Sequence, residues 1–179
     1  MGKDVAVVGL YCDFLAQQEQ SASNMLGVML KQLVSRRGIP KYIRKAFREA
    51  ERKFSGRGLQ LPDMVDALKK TITSLPRLFI CIDALDECTP KHRLELLESL
   101  REIVRVSPGT RVFLTGRTQI EGEVVGCFGG SLNIPLSPTP GDIMNYLEMR
   151  LKRDTDPHAM DDELRADIRR IIPEEISER

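Results

Sequence analysis

The sequence predicts an α/β fold, a parallel sheet flanked by helices in three layers. Short apolar runs, VAVVGLYCDF, RLFICID and RVFLTGR among them, alternate with longer stretches of helical period. The runs carry apolar residues at consecutive positions, as strands do when both of their faces are covered. Strand, helix and strand in alternation then imply parallel pairing, because a crossover helix returns the chain to the same end of the sheet.

Val5 to Phe14 forms the first predicted strand and leads into the polar turn AQQEQS. Ala22, Met25, Leu26, Met29, Leu30 and Leu33 then recur at helical spacing, with Ser21 or Ser23 as the cap. A second helix starts after Pro40 with Ile43, Phe47, Ala50 and Phe54 on one face, and the segment SGRG ends it. A third runs from Pro62 to Ser74 with Met64, Val65, Leu68 and Ile72 inward. After the strand RLFICID, Thr89 and Pro90 cap and open a helix carrying Leu94, Leu97, Leu100 and Val104. SPGT turns the chain into RVFLTGR, and SLNIPL offers one more short extended piece. A helix from about Asp142 to Arg153 follows, then a break containing Pro157 and an acidic tail helix.

Composition narrows the class. A chain of 179 residues, 41% hydrophobic and 30% charged, is long enough for one domain and too apolar to be wholly disordered. No apolar stretch has the length of a membrane span, and MGKDVAVVGLY has no cleavable signal pattern. Ala6 stands where N-myristoylation requires Ser or Thr. Cys12, Cys81, Cys88 and Cys127 have no paired spacing and read as reduced thiols of a cytoplasmic protein. Cys88 and His92 alone are too few ligands for a zinc site.

In an open parallel sheet, ligands bind beyond the carboxyl ends of the strands. Asp83, Asp86 and Glu87 follow one predicted strand end, and Thr115, Gly116 and Arg117 follow another. A carboxylate beside a metal's water shell and a guanidinium beside phosphate oxygens are the parts of a magnesium phosphate site. An isolated acidic turn would instead cap the next helix. Four apolar residues before the acids and the RVFLTGR run after them favour the nucleotide reading.

LFICIDALDEC resembles the second nucleotide motif, Walker B, of the NACHT branch of signalling NTPases, and most closely the nephrocystin-like NACHT domains of fungal proteins. The resemblance extends to YCDFLAQQEQSASNMLGVMLKQLV, to RVFLTGR as the sensor strand and to LNIPLSPTPGDIMNYLEMRL, so it covers most of residues 5–152. It implies Asp83 as the magnesium-coordinating carboxylate, and Asp86 or Glu87 as the group that orients and deprotonates the attacking water. It implies Arg117 as the sensor of the terminal phosphate, with Thr115 in the nucleotide site, and Mg2+ with ATP or GTP as the ligands.

The resemblance also implies a phosphate-cradling loop ending in Gly-Lys-Ser or Gly-Lys-Thr, and neither triplet occurs in the sequence. The expected fold is therefore P-loop NTPase-like but incomplete, with the first strand and P-loop absent. Residues 1–152 would form a partial nucleotide-binding core, and residues 153–179 an acidic linker or the start of a following helical domain. Such a chain is expected to be a fragment of a longer protein, a truncated gene product or a remodelled sheet. Without the missing strand, RVFLTGR is expected to present an unpaired edge.

Two charged regions remain. Lys31 to Arg57 contains ten basic residues against two acids, whereas residues 154–179 hold nine acids against four bases. Nucleic acid is not the expected partner of the basic region, because its aromatics are few and Phe47 and Phe54 fall on the apolar face. His158 is read as an exposed loop residue. The implied function is part of a nucleotide-dependent signalling switch, not competent for hydrolysis by itself, whose partners are proteins, a second copy or the missing N-terminal segment. The alternative is a non-catalytic interaction module built on a degenerate core.

Overall fold

The computed structural model describes residues 5–35, 38–53, 58–153 and 160–177. Arg36, Arg37, Phe54, Arg57, Pro157 and His158, and most of the SGRG segment, lie outside the described residues. The chain divides into two compact units, Met1–Ser131 and Leu132–Arg179. The helix near Asp142, grouped by sequence with the core to residue 152, belongs to the second unit.

The first unit holds strands β1 (Val5–Tyr11), β2 (Arg77–Asp83) and β3 (Thr110–Leu114), paired in parallel in the order β1-β2-β3. Helices α1 (Ala22–Ser35), α2 (Lys41–Lys53) and α3 (Leu61–Ile72) connect β1 to β2, and α4 (Pro90–Val106) connects β2 to β3. Helix α5 (Glu121–Cys127) follows β3. This is the expected α/β class, a small three-strand parallel sheet with helices.

The third layer does not form among the described residues. Both crossovers step the same way across the sheet, and right-handed connections then place their helices on the same face. Ala6, Leu78 and Thr110 share one register row and Val8, Ile80 and Val112 another; this face packs into the core with Leu26, Leu68, Leu85 and Leu97. Each such fully buried side chain contributes about 1.5–3 kcal/mol. The opposite rows, Val7–Phe79–Arg111 and Gly9–Cys81–Phe113, face away, leaving Val7 47% and Phe113 57% exposed. The Phe79 and Phe113 rings pack on each other there with centroids 6.3 Å apart.

The two sheet edges differ. On β1, the Gly9 N–H donates to Gln32 Oε1 at 3.0 Å and Gln32 Nε2 donates to the Gly9 carbonyl at 2.7 Å, so a side-chain amide from α1 imitates a neighbouring strand. No strand pairs with the outer edge of β3 among the described residues, as the sequence predicts.

All six apolar residues expected to face inward from α1 are buried, as are Met64, Val65, Leu68 and Ile72 of α3. Ser21 proves to be the α1 cap, accepting from Asn24 N. Elsewhere the phase differs. Phe47 is 40% exposed although Ile43 and Ala50 are buried. On α4 the inward stripe is Arg93, Leu96, Leu97, Leu100 and Ile103, while Leu94 is 46% exposed and Val104 only half-buried. Arg93 takes a stripe position because the Glu123 carboxylate and the Cys88 carbonyl pair its guanidinium there, and that rotates Leu94 outward. The first strand ends at Tyr11, and Phe14 is exposed in a 3-10 turn capped by Asp13.

The SLNIPL segment is not a strand: Leu132 and Leu136 are 86% and 90% exposed. Pro135 and Pro138 remove ladder donors, and among the described residues of the second unit there is no strand for it to join. The second unit instead pairs α6 (Pro140–Lys152) with α7 (Asp162–Ser177). Thr139 and Asp142 form a capping box at the α6 start, and Arg169 donates to the Glu148 carboxylate from α7.

Gly109, in the turn before β3, lies against the Pro76 backbone. A Cβ there would lie 2.2 Å from the Pro76 carbonyl oxygen, a backbone atom that cannot swing aside. Gly109→Ala is therefore expected to destabilise the first unit by about 2–3 kcal/mol, read as a lower denaturant midpoint; an unchanged midpoint would contradict this packing.

Candidate functional site

The five residues singled out by sequence, Asp83, Asp86, Glu87, Thr115 and Arg117, come together beyond the carboxyl ends of β2 and β3. Thr115 is the junction. Its N–H donates to the Ile82 carbonyl at 3.0 Å, its carbonyl accepts from Leu85 N at 2.9 Å, and its hydroxyl donates to the Asp83 carboxylate. The same hydroxyl oxygen accepts from Ala84 N at 2.9 Å. From the other side, Cys12 N donates to the Asp83 carbonyl at 3.0 Å. Asp83 is thus held by both flanking segments while its side chain stays exposed, beside a shallow depression bounded by Tyr11, Phe113 and Thr115.

Ala84 turns the chain out of β2 in the left-handed conformation, φ 54° and ψ 45°. A Cβ makes that conformation cost about 1–2 kcal/mol. The Thr115 bond to its N–H and the fully buried Leu85 beyond it hold the turn in place. The turn re-aims the next two acids. Asp86, whose side chain is only 5% exposed, accepts from Arg117 N at 3.3 Å and pairs with Arg117 Nε at 3.4 Å. Glu87 pairs with Arg117 Nη2 at 3.4 Å. Arg117 itself is exposed and clasps both acids. Gly116 makes this approach feasible, since a Cβ there would meet Ile120 Cδ1 at 2.6 Å and Asp86 Oδ1 at 3.3 Å.

Beneath the acidic turn lie residues that sequence reading overlooked. Arg93 forms a two-bonded pair with Glu123 of α5, both contacts 2.7 Å, and Nη1 donates to the Cys88 carbonyl at 2.9 Å. A charged residue in the apolar stripe of α4 was the available signal. Gln17 Nε2 donates to the Glu87 carbonyl at 2.7 Å. The neighbouring Cys88 thiol, together with burial, pushes the pKa of Cys12 up, and the Cys12 thiol draws that of Cys88 down.

The donor chemistry at Asp83 and Thr115 suits a hard cation. Among the described residues, no group of three or more His, Cys, Asp or Glu side chains is arranged to hold a metal by itself. Magnesium makes no such demand, since it keeps several waters and uses one or two carboxylates together with phosphate oxygens.

Fold and site together define an α/β domain with an acidic and a basic strand end placed side by side. Residues 2–117, more than half of the chain, match the family described as Nephrocystin 3, N-terminal, and the chain belongs to that family. No curated protein and no solved structure gives a significant match. Among the described residues, no helix is long and apolar enough to cross a membrane.

Two stability predictions follow from the turn and its floor. Ala84→Gly relieves the left-handed strain and should raise stability by about 0.5–1 kcal/mol after the greater freedom of glycine in the unfolded chain is subtracted; a loss of stability would mean that the turn is not left-handed. Arg93→Met keeps the volume but removes the bonds to Cys88 and Glu123, at a cost of roughly 2 kcal/mol. Arg93 holds the Glu123 carboxyl below its ordinary 4.5. The ion-pair part of the stability is therefore full above that value and is lost as pH falls through the lower folded-state value. Urea unfolding at pH 7 and pH 3 should show the gap between wild type and Arg93→Met narrowing in acid, and a gap that widens would contradict the pairing.

Proposed function

We propose that this chain carries the metal-and-sensor half of a NACHT-type P-loop NTPase switch that binds ATP or GTP with magnesium. The observation that carries the proposal is the meeting of Asp83 and Thr115 with Asp86, Glu87 and Arg117 at adjoining strand ends, in a chain of the Nephrocystin 3 N-terminal family. Asp83 would hold the magnesium ion through its exposed carboxylate, oriented by the Thr115 hydroxyl. When bound, the ion neutralises charge on the phosphate oxygens.

Arg117 links the sensor end to the acids. Its guanidinium clasps Asp86 and Glu87. A terminal phosphate competes for the same donors, because phosphate oxygens accept charge-assisted bonds as carboxylates do. The exchange would free one acid to orient and accept a proton from an attacking water. Of the two, Glu87 is the better placed, with 25% of its side chain exposed against 5% for Asp86. The sequence holds no Gly-Lys-Ser or Gly-Lys-Thr loop, so most of the usual grip on the phosphates has to come from outside these residues.

A second reading, a non-catalytic interaction module, is favoured by the open sheet face carrying Val7, Phe79 and Phe113. Exposed apolar surface of this kind marks association sites.

Titration of the purified chain with fluorescent ATP and GTP, with and without magnesium, separates the readings. The switch reading predicts weak, magnesium-dependent binding, on the order of millimolar, that is lost in Asp83→Ala, with no turnover. Binding that ignores magnesium or survives Asp83→Ala would contradict it. No binding, together with self-association that Phe113→Asp abolishes, would establish the second reading.

A further inference from the structure

The chain between α5 and α6 takes no part in the strand-end site. Every residue from Ser131 to Gly141 is exposed, and Ser131 to Thr139 belong to no helix or strand. Pro135, Pro138 and Pro140 punctuate this stretch. Each proline ring fixes its own φ and clashes with a helical residue before it, so Ile134, Ser137 and Thr139 are held extended. Thr139 accordingly has φ −75° and ψ 157°. An exposed hydroxyl on an extended segment with proline next in sequence suits a proline-directed protein kinase. Such a kinase binds its substrate extended, and the residue after the acceptor enters an apolar pocket where a backbone N–H would go unpaired, a penalty that proline does not incur. Two hydroxyls meet the sequence requirement, Ser137 before Pro138 and Thr139 before Pro140. The structure separates them. The Thr139 hydroxyl donates to Asp142 Oδ2 at 2.6 Å and accepts from Asp142 N at 3.2 Å in the capping box of α6. The Ser137 hydroxyl makes no hydrogen bond among the described residues.

We propose that Ser137 is a phosphorylation site for proline-directed serine/threonine kinases, with magnesium ATP as the donor, and that the α6 cap withholds Thr139 from the same enzymes. A base of the kinase takes the hydroxyl proton as Ser137 Oγ bonds to the γ-phosphorus. The bond from that phosphorus to the bridging oxygen breaks, and ADP leaves. The chain gains one phosphoryl group, and nothing is oxidised or reduced. The product carries about two negative charges at neutral pH. It brings them into a stretch, Val124 to Gly141, that has no charged residue, and sets them beside Leu136, which is 90% exposed. An apolar extended segment thereby becomes an anionic one.

The test incubates the whole chain with magnesium ATP and a cyclin-dependent or mitogen-activated protein kinase, and locates phosphate by tandem mass spectrometry of proteolytic peptides. A synthetic peptide of residues 132–141, which has no α6 to cap, is treated in parallel and gives the kinase's own preference between the two hydroxyls. The expected product is the chain heavier by one phosphoryl group at Ser137, and Ser137→Ala should not form it. The preference for Ser137 over Thr139 should be about fivefold greater in the chain than in the peptide, the factor that a typical helix cap represents. Asp142→Ala removes the carboxylate bonded to the Thr139 hydroxyl and should lower that preference. Absence of phosphate from Ser137 of the chain would overturn the proposal, as would a preference no greater in the chain than in the peptide.

Discussion

Both crossovers of this sheet lie on one face, and most of what distinguishes the domain follows from that constraint. The strand order β1-β2-β3 makes each connection step the same way, and right-handedness then sends α1, α3 and α4 to the same side. One face becomes a close-packed core centred on Ile80 and Ile82, and the other is left with Val7 and Phe113 exposed and Phe79 half-buried against Phe113. Parallel pairing also brings the carboxyl ends of β2 and β3 side by side, so acids from one strand end reach a threonine and an arginine from the next.

At that junction the competing energies are small and each has a visible source. The left-handed Ala84 costs about 1–2 kcal/mol, and a net hydrogen bond returns about 1 kcal/mol. Thr115 supplies four bonds across the turn, to Ile82, Asp83, Ala84 and Leu85, which suffices to hold it. The clasp of Arg117 on Asp86 and Glu87 is different in kind. Arg117 is 73% exposed on its side chain, so water screens the pair and the contact is worth little to stability. A contact of this sort is easily exchanged, whereas the Arg93 side chain beneath it is only 8% exposed and, through its bonds to Glu123 and the Cys88 carbonyl, ties the turn to α5.

Much of this was legible in the sequence. The helical period of α1 and α3 identified their buried residues, and the apolar runs ending in charge placed all five site residues at strand ends. The open face was not legible, because Val7, Phe79 and Phe113 give the strands the apolar continuity of a doubly covered sheet; only strand order and crossover hand reveal which side the helices take. Leu94 was misplaced because Arg93 claims the inward position, and a buried arginine is intelligible only once Glu123 and the Cys88 carbonyl are seen beside it. SLNIPL reads as a strand by composition, yet Leu132 and Leu136 are exposed in a segment without a ladder. Ala84 gave no warning at all, since the left-handed conformation is ordinarily marked by glycine or asparagine.

The central claim is that the acidic end of β2 and the basic end following β3 form one metal–phosphate site. Paramagnetic relaxation by manganese, a stand-in for magnesium with the same taste for oxygen donors, tests it most directly on the isotopically labelled chain in the presence of ATP. The account predicts that amide signals of Asp83, Ala84, Thr115 and Arg117 broaden first, and only when the nucleotide is present. Broadening confined to the acidic start of α7, at Asp162 and Glu163, or identical with and without ATP, would contradict it.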